Sequence, residues 1–257
     1  MRQPAIFLGH GNPMNALADN AYTQTWSALG QAFSPKAILM VSAHWYIPKL
    51  AIQSEEKPRK INDMYGFPDE LYRLAYPAPG DIDLTRRVRG RIGQDVEIDD
   101  TWGIDHGAWS VLVHMYPGAD TPVVQLSVDQ RKRPSELYAI GQKLKDLRDR
   151  GVMIIGSGNI VHNLRRAKAE EDAVYPWAEE FDQAIHDAIL AGGHEICIDY
   201  HRLVNTAPLA VPTSDHYDPL LYVLGASFEE DEIAVHNKRC TNGSLSMTSY
   251  VFHSRGD

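Results

Sequence analysis

The chain has 257 residues, a net charge of −9, and 44% hydrophobic against 23% charged residues, a globular composition that excludes a disordered, collagen-like or coiled-coil chain. The acidic balance leaves no electrostatic footprint for nucleic acid, and no apolar run reaches the roughly 18 residues of a membrane span. The only cysteines, Cys197 and Cys240, make neither a disulfide framework nor a cysteine zinc ribbon, and the apolar run after Met1-Arg2-Gln3-Pro4 ends at Gly9-His10, too short for a signal peptide, so a cytoplasmic protein is expected.

In chain order, Ala5-Ile6-Phe7-Leu8 predicts a first strand. Trp26, Leu29 and Phe33 follow with helical 3-4 spacing, and Ala37-Ile38-Leu39-Met40-Val41 predicts a second strand. The stretch from Pro48 to Pro79 is polar and proline-rich and reads as a long loop, although Tyr65, Phe67, Tyr72 and Tyr76 are many aromatics for a solvated one. They suit either a satellite hydrophobic cluster over the sheet edge or the wall of a binding pocket. Val123-Val124-Gln125-Leu126 is a third strand. A helix over Ser135–Arg150 begins at Pro134-Ser135-Glu136 and stops at Gly151. Val152-Met153-Ile154-Ile155 is a fourth strand, and Trp177–Leu190 an amphipathic helix ended by Gly192-Gly193. Apolar runs without alternation suit strands covered on both faces. The expected fold is therefore α/β: a single domain over residues 1–257, with a central mainly parallel or mixed sheet flanked by helices.

Eleven histidines stand against two cysteines, and their positions are informative. His10 follows the first strand in Gly9-His10-Gly11-Asn12-Pro13, His44 follows the second in Ser42-Ala43-His44-Trp45, and His162 lies just past the fourth. Open α/β sheets bind ligands outside the carboxyl ends of their strands, so these three could converge there. His106, in Asp105-His106-Gly107, and His216, in Asp215-His216-Tyr217-Asp218-Pro219, sit among loop and helix-start residues. Neutral imidazole is the commonest metal ligand and suits zinc, iron, copper and nickel. His114, His186, His194, His201, His236 and His253 lack such surroundings and are assigned to surface or core roles.

Competing motifs are incomplete. Gly156-Ser157-Gly158-Asn159-Ile160-Val161 lacks the third glycine of a dinucleotide loop, and there is no Walker lysine, G-x-S-x-G elbow or H-E-x-x-H helix.

Gly9-His10-Gly11-Asn12-Pro13-Met14, Ser42-Ala43-His44-Trp45, Asp105-His106-Gly107 and Gly158-Asn159-Ile160-Val161-His162-Asn163-Leu164 together resemble the class III extradiol ring-cleavage dioxygenases, most closely their DOPA 4,5-dioxygenase-like branch. The resemblance runs from His10 through His216 to Gly243-Ser244-Leu245-Ser246-Met247. It implies a non-haem Fe(II) site in which His10 and His44 match the first two metal ligands and His216 a further histidine ligand. His162 matches the family's catalytic acid/base, or could close a four-histidine tetrahedron around zinc, and His106 matches a pocket histidine that orients substrate or dioxygen. Protocatechuate-cleaving relatives use glutamate as third ligand where this chain has His216.

The residue types suit that chemistry. A catechol offers two adjacent oxygens to one metal, and three protein ligands leave room for both and for O2. The implied product is a muconic semialdehyde, with histidine moving the protons. A zinc hydrolase using the same histidines, and a non-catalytic metal-binding protein, are the alternatives. The expected partners are a small catechol and O2, with neither nucleic acid nor membrane; the oligomeric state is not legible.

Overall fold

Runs rich in β-branched and other apolar residues satisfy a strand only when both of its faces are covered, and the architecture follows from that requirement. The computed structural model describes residues 2–255. Its strands are β1 (Ala5–Gly9), β2 (Ala37–Ile47), β3 (Leu50–Ile52), β4 (Val96–Ile98), β5 (Val123–Asp129), β6 (Val152–Gly158), β7 (Glu232–His236), β8 (Cys240–Thr241), β9 (Leu245–Ser246) and β10 (Ser249–His253). Eight of them form one sheet in the order β4-β3-β5-β2-β6-β1-β10-β7. The four strands expected from the sequence, β5, β2, β6 and β1, are its parallel centre. Antiparallel β3 flanks β5 and antiparallel β10 flanks β1, so the sheet is mixed.

The helices are α1 (Ala21–Ala32), α2 (Asp69–Arg73), α3 (Ile82–Ile92), α4 (His106–Met115), α5 (Pro134–Leu144), α6 (Pro176–Leu190), α7 (His194–Ile198), α8 (Ala207–Ala210) and α9 (Asp218–Ala226). Alternate residues of one strand enter different cores. Phe7, Leu39 and Ile154 pack with Leu137 of α5, Phe181 of α6 and Leu220 of α9. Ile6, Met40 and Ile155 pack with Trp26 of α1 and Trp109 of α4 on the other face. The α1 start is a capping box in which the Asn20 side chain accepts from Thr23 N while the Thr23 hydroxyl accepts from Asn20 N.

Two details differ from the sequence expectations. The Pro48–Pro79 stretch is not one loop: Leu50–Ile52 pairs with β4 and β5, and Asp69–Arg73 forms a short helix. Three- and five-residue elements are too short to show a period. Of its aromatics, Tyr76 is buried in the core, Phe67 packs partly against it, and Tyr65 is 92% exposed. The helix expected over Ser135–Arg150 ends at Leu144, and Lys145–Arg150 tighten into 3₁₀ geometry before Gly151, at φ 88°. Arg148 on that turn is fully buried and bonded to Asp231 and to the carbonyls of Gln3, Ala226 and Phe252, so a tertiary demand bends the chain there.

The pairing of β2 with β5 shifts register between Val41 and Tyr46. Such irregularities re-aim side chains next to functional sites, and His44 lies inside this one.

Candidate metal centre

The carboxyl ends of the parallel strands deliver the histidines. His10 leaves β1 with its backbone N–H donated to Gly158 O at the end of β6 (3.1 Å). His44 projects from the irregular end of β2. His106 opens α4, whose N-cap Asp105 accepts from Ala108 N. His216 precedes α9 and its carbonyl accepts from Asn159 N, just past β6 (2.9 Å). The His162 backbone N–H donates to Ala210 O (2.9 Å).

Four of the rings are held by Nδ1. His10 Nδ1 lies 2.9 Å from Ser157 Oγ, whose single proton is committed to Gly107 O, so the hydroxyl accepts from the ring. His44 Nδ1 (3.0 Å) and His106 Nδ1 (2.8 Å) both donate to Asp63 Oδ2. His216 Nδ1 donates to Asp215 Oδ2 (2.5 Å). In the neutral ring each of these four therefore carries its lone pair on Nε2. Partner groups on the second nitrogen are how proteins orient metal-binding imidazoles. Among the described residues no hydrogen bond holds the His162 ring, which stacks on His216 at a centroid distance of 3.4 Å and an interplanar angle of 8°.

The electrostatics follow from burial and these contacts. Burial, then the neighbouring imidazoles, hold His10 well below its usual 6.5. Burial also lowers His216 to about 4 against the pull of Asp215, and lowers His162 to about 2 with His216 adding to the effect. Burial alone would lower His44 too, but the hydrogen bond to Asp63 and the charges of Asp105, Asp63 and Asp215 raise it. Burial would raise Asp63 and Asp215, yet their histidine partners hold both far below the ordinary carboxylate range. Asp105, fully buried, accepts from Ser42 Oγ (2.7 Å) and Trp102 Nε1 (3.1 Å) and from Gln125 Nε2; burial pushes it up.

The donor set fits a metal ion. His10 Nε2 and His44 Nε2 are 3.2 Å apart, a separation at which two lone pairs repel unless a proton or a cation lies between them. The ring centroids of His10, His44 and His216 form a nearly equilateral triangle of 5.1, 5.3 and 5.1 Å. Imidazoles sharing one ion at nitrogen distances near 2.0–2.1 Å and tetrahedral angles have centroids about 5.2 Å apart. Ligand atoms lie within 4.8 Å of one another in two sets, His10 with His44 and His106, and His216 with His162 and Asp215. His106 is less regular, 3.8 Å from His44 and 5.9 Å from His10 between centroids.

All five histidines singled out in the sequence thus meet at one place. The other six lie outside both groups; His114 bonds Asn15 O (2.8 Å), His194 Tyr138 Oη (3.0 Å) and His186 Tyr250 Oη (3.3 Å). Ser157 and Asp215 were visible within motifs without an assigned role, and Asp63 carries no sequence signal at all, because its partners come from other elements.

An α/β protein whose parallel strands deliver a ring of histidines to a metal-competent centre is the class defined by this fold and site. The chain belongs to the family of the catalytic LigB subunit of aromatic ring-opening dioxygenases, whose model matches residues 5–253. It is 44% identical over 257 residues to the 4,5-DOPA dioxygenase extradiol of Escherichia coli (strain K12), covering 96% of this chain and 94% of that one. The enzyme of the same name from Beta vulgaris is 35% identical, covering 97% and 96%. The crystal structure of an uncharacterised Escherichia coli K12 protein superposes with a TM-score of 0.85 at 40% identity, covering 97% of this chain and 99% of that one. Among the described residues no helix is long and apolar enough to cross a membrane.

Proposed function

We propose that the protein is an Fe(II)-dependent extradiol dioxygenase that cleaves a DOPA-like catechol at its 4,5 bond, placing both atoms of O2 in a muconic semialdehyde. The observation that carries this reading is the triangle of His10, His44 and His216, each ring anchored at Nδ1, with the Nε2 atoms of His10 and His44 facing each other at 3.2 Å. The names of the similar proteins favour DOPA among catechols.

His10, His44 and His216 would hold the metal. Fe(II) held there would supply the redox chemistry that links a catechol to dioxygen. His216 rather than His162 is the third ligand in this reading. A metal lies in the plane of each imidazole that binds it, and two planes tilted by only 8° at 3.4 Å share no nearby point. Zinc could occupy the same three ligands, since it too takes imidazole nitrogen.

His162 is the acid/base. Among the described residues no hydrogen bond ties its ring down, so a ring nitrogen is free to take a catechol proton first and to return one as the ring opens. His106, fixed at Nδ1 and N by Asp63, offers Nε2 toward the centre and orients substrate or dioxygen. The two free, buried cysteines suit a reducing cytoplasm.

Oxygen uptake with L-DOPA after anaerobic reconstitution with Fe(II) tests the proposal: stoichiometric O2 consumption with formation of a semialdehyde is expected. Absence of uptake above an iron-only control, with ester or amide hydrolysis by the zinc form, would replace it with a zinc hydrolase.

A further inference from the structure

Asp63 lies in the segment between β3 and α2, outside every motif that marks the site, yet its carboxylate accepts three hydrogen bonds from it. Oδ2 accepts from both His44 Nδ1 (3.0 Å) and His106 Nδ1 (2.8 Å), and Oδ1 accepts from the His106 backbone N–H (2.9 Å). The side chain is only 10% exposed. Its segment is pinned from both sides. Ile61 N donates to Ile104 O (2.8 Å), Ile61 O accepts from Trp109 Nε1 (2.8 Å), and Lys60 pairs with Ile104 across an isolated bridge.

We propose that Asp63 is a positioning residue that sets the tautomer and rotation of His44 and His106 together, so that one carboxylate oxygen aligns a metal-holding ring with a substrate-orienting one. The inference rests on the proposed roles of those two histidines. An ionised carboxylate accepts and never donates, so both facing nitrogens must carry protons and both lone pairs must sit on Nε2. Because the rings share one oxygen, a rotation of either displaces the bond of the other. Partners of this kind are worth about 10–100-fold in metal affinity at other centres.

Asparagine cannot reproduce the arrangement. With its oxygen toward the two rings, its NH2 group confronts the His106 backbone N–H; turned over, the NH2 group confronts both Nδ1 atoms and drives their protons to Nε2, where a metal must bind. Two readouts separate positioning from mere structural support. In Asp63→Asn, Zn2+ and Co2+ affinities, measured by competition with a chromophoric chelator, should weaken about 10–100-fold. Imidazole ¹⁵N NMR of the metal-free protein should show Nδ1-protonated His44 and His106 in the unaltered chain and a changed tautomer in the variant. Asp63→Glu keeps the charge and displaces the oxygens; it should show a smaller loss of affinity with both Nδ1 protons retained, and it carries the test if Asp63→Asn does not fold. A folded variant with a lower melting temperature but unchanged affinity and tautomers overturns the inference and leaves the proposed function standing. Failure of the unaltered chain to bind either cation overturns the proposed function instead, while the tautomer measurement still judges Asp63.

Discussion

Gly158, the last residue of β6, stands directly against the backbone of His216. A Cβ built there lies 2.1 Å from His216 O and 3.1 Å from its carbonyl carbon. Side chains essentially never approach closer than 3.0 Å, so Gly158→Ala must open this contact by about 0.9 Å. The displaced atoms are those that fix the centre, because Asn159 N donates to the same His216 oxygen. Gly158 is not among the residues with positive φ, so the damage is steric and not a strained backbone. Overpacking of this kind costs about 1–3 kcal/mol of stability. A misplacement near 1 Å costs about 10²-fold in rate, equivalent to about 2.7 kcal/mol of transition-state stabilisation. Gly158→Ala should therefore lower kcat/KM for oxygen uptake about a hundredfold and weaken divalent-cation affinity, as read by an oxygen electrode, chelator competition and thermal melting. Gly90→Ala is the control: Gly90 is an exposed position in α3 with no atom within 4 Å of an added Cβ, and it should gain about 0.5–1 kcal/mol. Unchanged turnover and cation affinity in Gly158→Ala would refute the reasoning that this contact positions His216.

His162→Ala should lower turnover about 10²–10⁴-fold with the cation still bound, whereas His216→Ala should lose the cation; the reverse pattern in chelator competition would exchange their roles. Asp231→Ala leaves the fully buried Arg148 guanidinium without its ionic partner and should cost about 3–5 kcal/mol in urea unfolding; a loss below 1 kcal/mol would mean that the carbonyls around Arg148 suffice. Asp182, buried beneath Ser246 and Thr248, has its carboxyl raised above the usual 3.8 chiefly by burial. The folded state therefore holds this proton more tightly than the unfolded one, and the contribution to stability falls as pH rises from 3.8 through the raised value. Melting curves of Asp182→Asn, subtracted from those of the unaltered chain, should isolate that slope, and a flat difference would show that Asp182 does not titrate there.

What the sequence determined by itself was the part governed by local chemistry. The parallel strands β1, β2, β5 and β6 were legible because burial on both faces demands unbroken apolar runs of strand length. The histidines were legible because strand exits in such a sheet share one edge, and because the motifs around them carry a family resemblance. β3 and β4, of three residues each, hold too few side chains to reveal a period, and the early end of α5 depends on where Arg148 finds its distant partners. Tertiary structure alone decided how the histidines combine. The order β2-β6-β1 sets His10 beside His44, the approach of Gly158 brings His216 to them, and Asp63 joins His44 to His106 from a segment with no pattern of its own. Contacts among residues so far apart in the chain are fixed by strand order and packing, and no local spacing encodes them.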